Sequence, residues 1–484
     1  MRIRLLLLIL LAALTVAGCG SSSAGSSVDP SLLSELSYLP AGSPLVLTVA
    51  TDPNSSAIKQ AQALEGQFPI AAFGKAALNN KLQQVGINYA ADVRPLFGNP
   101  VVLAAGGATL SGAAGNEFLL VWMTKDQNKL NALLKKLLPS ARSGSLDGAS
   151  LYTSGSYALA VSGSTVVFAA NRSLLQAALQ RHAQGGGISA AQYTRETAGL
   201  PHGSLVQVFG DLSGVLSTPS AAKARRVPWV AALRGYGAAI DAGSSGLSIR
   251  FHLDTSGAHL SASQLPIAGG SAAASLASSS PISTAVHDPA QIVQFAEAAE
   301  QETNPSGYQR FLTRQASLRA KTGVDITALA KLLTGDLIIG SDTHKTAARI
   351  GVSDPPAAAN DLAKLATTPH GLFTHAEKIT KLPGGFYAIK ERRRTINVGV
   401  IGSQLVAGNV TPAQLRAYAA APATPASGAR GSVAFRVSLA QLLQVRLRSI
   451  PAPVQSIISR LGDITGWSSA SPSGLDGEAS LALR

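Results

Sequence analysis

Residues whose type and spacing could do chemistry are few in this chain. Ser56-Ala57-Ile58-Lys59 opens an expected helix and sets a serine hydroxyl and a lysine amine one turn apart on the same face. With Lys321-Thr322-Gly323 it would supply two parts of a serine acyl-transfer machine: a nucleophile with a lysine over it, and a strand lining the cleft. The third part, Ser or Tyr followed after one residue by Asn, is absent. Ser56 also follows Asp52-Pro53, a helix start where serine is common, and Lys321 to Gly323 falls at an expected helix-to-turn boundary. Metal chemistry has as little to use. His370 with His375, and Asp342 with His344, are the nearest spacings, and neither puts ligands on one face. The nucleophile elbow, zincin, paired-cysteine and phosphate-loop patterns are all missing. The expectation is a protein with no catalytic residues, no metal and no cofactor.

The remaining reactive residue is Cys19, the one thiol of 484 residues, which rules out an intramolecular disulfide. Ahead of it stand Arg2 and Arg4, an apolar run from Leu5 to Ala13, and Val16-Ala17-Gly18. A charged start, a greasy middle and a small-residue boundary make a secretion signal. The run is shorter than the roughly 20 residues a membrane-spanning helix needs. Val16-Ala17-Gly18-Cys19 resembles the lipobox of bacterial lipoproteins. That resemblance implies cleavage after Gly18 and a lipid on Cys19 that holds the protein at the extracytoplasmic face of the cell membrane. Gly20 to Ser27, GSSSAGSS, reads as a flexible tether.

Cleavage removes only Arg2 and Arg4 from a net charge of +14, so the exported chain stays basic. Its one dense cluster is Lys390, Glu391, Arg392, Arg393 and Arg394, between the strand-like runs Phe386 to Ile389 and Thr395 to Ile401. This reads as a solvated hairpin tip. Lys390, Arg392, Arg393 and Arg394 are its candidates for contact with anionic lipid or an acidic wall polymer, at about 1 kcal/mol per cation. Nucleic acid is not an expected partner, because aromatic stacking groups make up only 5% of the chain.

The elements that must position these residues are written twice. Ser43-Pro44, the run Leu45 to Ala50 and Asp52-Pro53 are answered by Ser280-Pro281, Ile282 to Val286 and Asp288-Pro289. The strand Phe118 to Met123, Asp126 and the helix Asn128 to Leu138 are answered by Ala347 to Val352, Asp354 and Pro356 to Ala366. Two hairpins share a Gly-Ser turn, Gly163-Ser164 and Gly402-Ser403. The four aspartates read as caps or turn residues and not as paired acids.

The expected fold is α+β: two tandem, internally repeated units with mainly antiparallel sheets and helices packed on one face. The expected boundaries are a signal at 1–18, the lipidated cysteine and tether at 19–37, the first unit at 38–255, a Ser/Ala/Gly-rich linker at 256–279 and the second unit at 280–484.

With the lipobox and the strand-helix alternation, the opening Leu39-Pro40-Ala41-Gly42-Ser43-Pro44 resembles the DUF3352 family of exported bacterial proteins of unknown function. The resemblance implies export and architecture and carries no site residues. The functional expectation is a tethered envelope lipoprotein of binding or scaffold type, its partner an unidentified envelope protein, polymer or lipid. The alternatives are a carrier of a ligand or lipid held between two lobes, and an exported hydrolase of unrecognised type.

Overall fold

The computed structural model describes residues 28–65, 79–106, 117–138, 142–243, 246–255, 257–270, 273–342, 344–368, 376–392, 394–425, 430–444, 455 and 459–484. The signal, Gly18, Cys19, Arg393 and both His370 and His375 lie outside them. The chain forms two units: one runs through Pro219 and takes in Arg234–Asp254, the other comprises Ser220–Leu233 and Thr255–Arg484.

In the first unit the strands are β1 (Leu45–Val49), β2 (Val101–Ala105), β3 (Phe118–Met123), β4 (Arg142–Leu146), β5 (Ala149–Ser154), β6 (Tyr157–Ser162), β7 (Thr165–Ala169), β8 (Val206–Asp211), β9 (Gly235–Gly243) and β10 (Gly246–Asp254). They pair antiparallel in the order β4-β5-β6-β7-β3-β2-β1-β8-β9-β10.

The second unit opens with the short β11 (Ser275–Ala277), followed by β12 (Ile282–His287), β13 (Leu333–Ser341), β14 (Thr346–Val352), β15 (Lys378–Leu382), β16 (Phe386–Glu391), β17 (Arg394–Ile401) and β18 (Gln404–Gly408). The last four strands are β19 (Ala423–Pro425), β20 (Val433–Ser438), β21 (Leu461–Ser471) and β22 (Gly474–Leu483). Its main sheet pairs antiparallel in the order β15-β16-β17-β18-β14-β13-β12-β20-β21-β22, the order of the first unit strand for strand. β11 and β19 form a separate two-stranded ribbon.

Helices cover both faces of each sheet, which corrects the expectation of one. Along β3, Leu119 and Val121 join a core with Leu32, Leu36, Leu175 and Ala178 from the helices Pro30–Leu36 and Arg172–Gln184. Leu120 and Trp122, pointing the other way, join a second core with Leu130, Leu133, Leu134 and Leu137 of the helix Gln127–Leu137. A strand buried on both faces needs a continuous apolar run, and Phe-Leu-Leu-Val-Trp-Met is one. In the second unit Phe386 packs with Leu415 and Tyr418 of the helix Pro412–Ala420, while its neighbour Tyr387 packs with Leu362 and Ala366 of the helix Pro355–Thr367.

Two expected boundaries also move. The tether was expected to reach residue 37, but Pro30–Leu36 is helical: Asp29 accepts from the Ser31 amide, Pro30 sits in the first turn, and Leu36 is fully buried. The expected linker at 256–279 contains β11, and the Gln291 side chain donates to the carbonyls of Ala262 and Leu265 at 2.9 and 2.7 Å. Small residues in this stretch pack closely, as Ala274 and Ala277 do at no exposure, and a Ser/Ala/Gly composition does not distinguish that from a loose coil.

Asp126 and Asp354 cap their helices, accepting from the amides of Lys129 and Ala357. Asp52 makes a turn with Asn54, and Asp288, in left-handed backbone at φ 45°, makes no side-chain cap. No described helix is long and apolar enough to cross a membrane.

Candidate functional site

The residues of the serine-lysine pattern fall at helix ends. Ser56 is an exposed first residue of the helix Ser56–Glu65, whose first turn is capped instead by the Ser55 hydroxyl accepting from the Ile58 amide. Lys321 lies in the last turn of the helix Pro305–Thr322, and Gly323, at φ 70°, ends that helix in the left-handed conformation. Ser56 and Lys59 belong to the first unit and Lys321 to the second. The Asp342 carboxylate closes a turn by accepting from the amides of His344 and Lys345, both at 2.7 Å. Among the described residues no three His, Cys, Asp or Glu side chains gather as a metal site.

The basic cluster is the tip of the β16-β17 hairpin. Glu391 pairs with Arg394 at the end of the hairpin, and Arg392, in the turn that follows Glu391, has φ 47°. Such turns demand left-handed backbone, which glycine, asparagine and aspartate adopt at low cost. Other tight turns in the chain comply, with Asp147-Gly148 at φ 47° and 81°, Gly155 at 62°, Gly163 at 58° and Gly402 at 54°. Holding an arginine there costs about 1 kcal/mol or more. Lys390 and Lys378 stand directly opposite each other on β16 and β15, a like-charge pairing relieved by Glu377, 3.4 Å from the Lys390 amine. Lys378, Lys390, Arg392 and Arg394 are all exposed.

A polar cavity of about 430 Å³ lies in the second unit, lined from β13, β14 and β18 by Thr334, Asp336, Arg349 and Gln404 and from the ribbon by Ser275 and Ala423. Its geometry begins in a bulge: the β13-β14 register breaks between Thr334 and Ile338, and Gly335 takes φ 69°. Asp336 faces His287 across the β12-β13 register. One of its oxygens lies 2.7 Å from His287 Nδ1, and the other accepts the Ser275 amide at 2.8 Å. A carboxylate that orients an imidazole is half of a general-base arrangement. Among the described residues no hydroxyl bonds to the His287 side chain.

Arg349 is 6% exposed and sits in β14 between apolar neighbours. Its Nη1 faces the carbonyls of Tyr418, Ala419 and Ala421, each at 2.7 Å, at the end of the helix Pro412–Ala420, where unpaired carbonyls gather. Its guanidinium carbon lies 5.4 Å from the centre of the Tyr418 ring. Burial pushes the Tyr418 hydroxyl up to about 12, against the opposing pull of Arg349. No carboxylate pairs with Arg349 among the described residues. Gln404 Oε1 is buried without a hydrogen-bond partner there.

The first unit has a cavity of about 310 Å³, lined by Pro44, Ala104, Phe118, Leu119, Leu174 and Arg181 and mostly apolar. Arg181 Nη1 donates to the Tyr38 carbonyl at 2.6 Å. In the same unit Glu35 is fully buried. One carboxyl oxygen accepts the Met123 amide at 2.8 Å and the other has no partner. Burial pushes this carboxyl up to about 9, against the lowering effect of the Met123 amide and with a small further rise from Asp29.

The hairpin tip was visible in the sequence as a charge run. Arg349, His287-Asp336 and Glu35 were not singled out, although an arginine inside the run Ala347 to Val352 was a usable signal.

A family model described as a protein of unknown function, DUF3352, matches residues 3–365. No curated protein matches the chain at a significant level. Solved structures of TP0453 in three crystal forms are similar to it at 12–13% identity, over 47–49% of this chain and 81–84% of that one, with TM-scores of 0.27–0.28.

Proposed function

The chain belongs to the DUF3352 family, and from that premise we propose that it is an exported, lipid-anchored protein that binds an anionic component of the cell envelope without catalysing a reaction. Cleavage after Gly18 leaves Cys19 to carry the lipid, and the residues behind it link the anchor to the helix Pro30–Leu36. The two units are copies of one ancestral unit. Their common strand order and matching Gly-Ser turns at Gly163 and Gly402 support that reading.

The observation that carries the binding role is the β16-β17 turn, where an arginine occupies backbone that costs stability to hold. A purely solvated tip has no need of that. Three further exposed cations stand beside it, and together they would attract anionic headgroups or wall polymer at about 1 kcal/mol each, an attraction screened by salt.

The test is sedimentation of residues 28–484 with vesicles that contain or lack anionic lipid. Binding only to anionic vesicles, falling steeply as salt rises, supports the proposal. Equal binding to neutral vesicles, or none to either, contradicts an anionic lipid headgroup as that component. A carrier role is the second reading, favoured by the apolar cavity of the first unit, whose size is at the lower end for small-molecule pockets.

A further inference from the structure

We propose that the polar cavity of the second unit binds a small hydroxylated oxyanion, a molecule of sugar-acid or sugar-phosphate class, with Arg349 as its anion-binding residue. The site uses different residues from the hairpin tip and stands whether or not the tip meets a membrane.

The charge balance of the cavity is the first reason. Arg349 is 6% exposed, and among the described residues its partners are three carbonyls and the Tyr418 ring, with no carboxylate paired to it. Three carbonyls share its Nη1, whose two N–H groups they more than occupy. The three N–H groups on Nε and Nη2 have no partner among the described residues. Asp336 lines the same cavity but makes no ion pair with Arg349, its oxygens meeting His287 and the Ser275 amide instead. An oxyanion at the open edge of the guanidinium would supply the missing charge in the fork geometry that arginine favours.

The second reason is independent. Gln404 lines the cavity, and its Oε1 is a buried acceptor with no donor among the described residues, whereas buried polar atoms are ordinarily satisfied. A donor is what it lacks, and a hydroxyl next to the anionic group would provide one. Thr334 and Ser275 place further polar groups on the wall, while Ile338 and Ile350 give it an apolar floor.

Size permits the class: at about 430 Å³ the cavity lies within the range of small-molecule sites and has room for a single substituted sugar.

The experiment is calorimetric titration of the full-length chain in detergent with glucuronate, glucose 6-phosphate and glucose. Glucuronate or glucose 6-phosphate, or both, should bind with Kd below about 1 mM and glucose at least tenfold more weakly. The two charged arms separate a carboxylate ligand from a phosphate one. Arg349→Lys keeps the charge and loses the fork, and should weaken binding at least tenfold. Gln404→Ala leaves the helix end untouched and should weaken it about fivefold with an unchanged melting temperature, which covers the case in which the arginine variant fails to fold. Absence of binding by both anions at 10 mM, glucose binding as tightly as they do, or undiminished binding by the Gln404 variant would overturn the proposal.

Discussion

Glu35 and Arg392 are residues that weaken the fold they belong to. Below about pH 4.5 the Glu35 carboxyl is neutral both folded and unfolded and costs nothing in charge. Between there and about 9 the unfolded chain releases the proton and the folded chain keeps it, so stability falls as pH rises through that window. At pH 7 the penalty is roughly 3 kcal/mol. Glu35→Gln keeps an acceptor for the Met123 amide and removes the titration. It should stabilise the protein by about that amount at pH 7 and by almost nothing at pH 4.5, as read from urea unfolding at both values; a gain independent of pH would refute the account of this residue.

Arg392→Gly should do two things at once. Relief of the left-handed backbone raises stability by about 1 kcal/mol, while loss of the cation lowers binding to anionic vesicles. A variant that is more stable and binds unchanged would show that the turn serves no anionic surface.

At the scale of elements, the helix Pro30–Leu36 is ordered where a flexible stretch was expected. Leu36 is fully buried in the core shared with Val46, Leu119 and Phe209. Leu36→Ala should cost about 2–5 kcal/mol in thermal or chemical unfolding, whereas a substitution in a flexible linker would cost nothing measurable.

Much of the strand layout was legible because each strand is a short apolar run closed by a glycine-bearing turn, as in Tyr157 to Ala170 around Gly163-Ser164. The covering of the sheets was not. In Phe118 to Met123 both alternating sets are apolar, and such a run does not say where helices will lie on either side. The Pro30 helix was hidden by its shortness, since seven residues hold less than two full turns of periodicity. The hairpin tip announced itself by composition. The cavity of the second unit did not, because His287, Asp336 and Arg349 are brought together by strand pairing and not by spacing along the chain.

At the scale of the molecule, the two units share a sheet order and differ in what they add to it. The first holds a mostly apolar cavity and the buried Glu35, the second a polar cavity and the basic tip. Two units of one strand order with different surfaces and interiors would suit the proposed binding protein, the second unit carrying the binding surfaces and the first following the proposed lipid anchor. That division depends on Cys19. Intact-mass measurement of the chain purified from its native membrane tests it most directly. The account predicts loss of residues 1–18 and a diacylglycerol-sized mass on Cys19, both abolished by Cys19→Ser; an unmodified Cys19, or a chain that keeps residues 1–18, would contradict it.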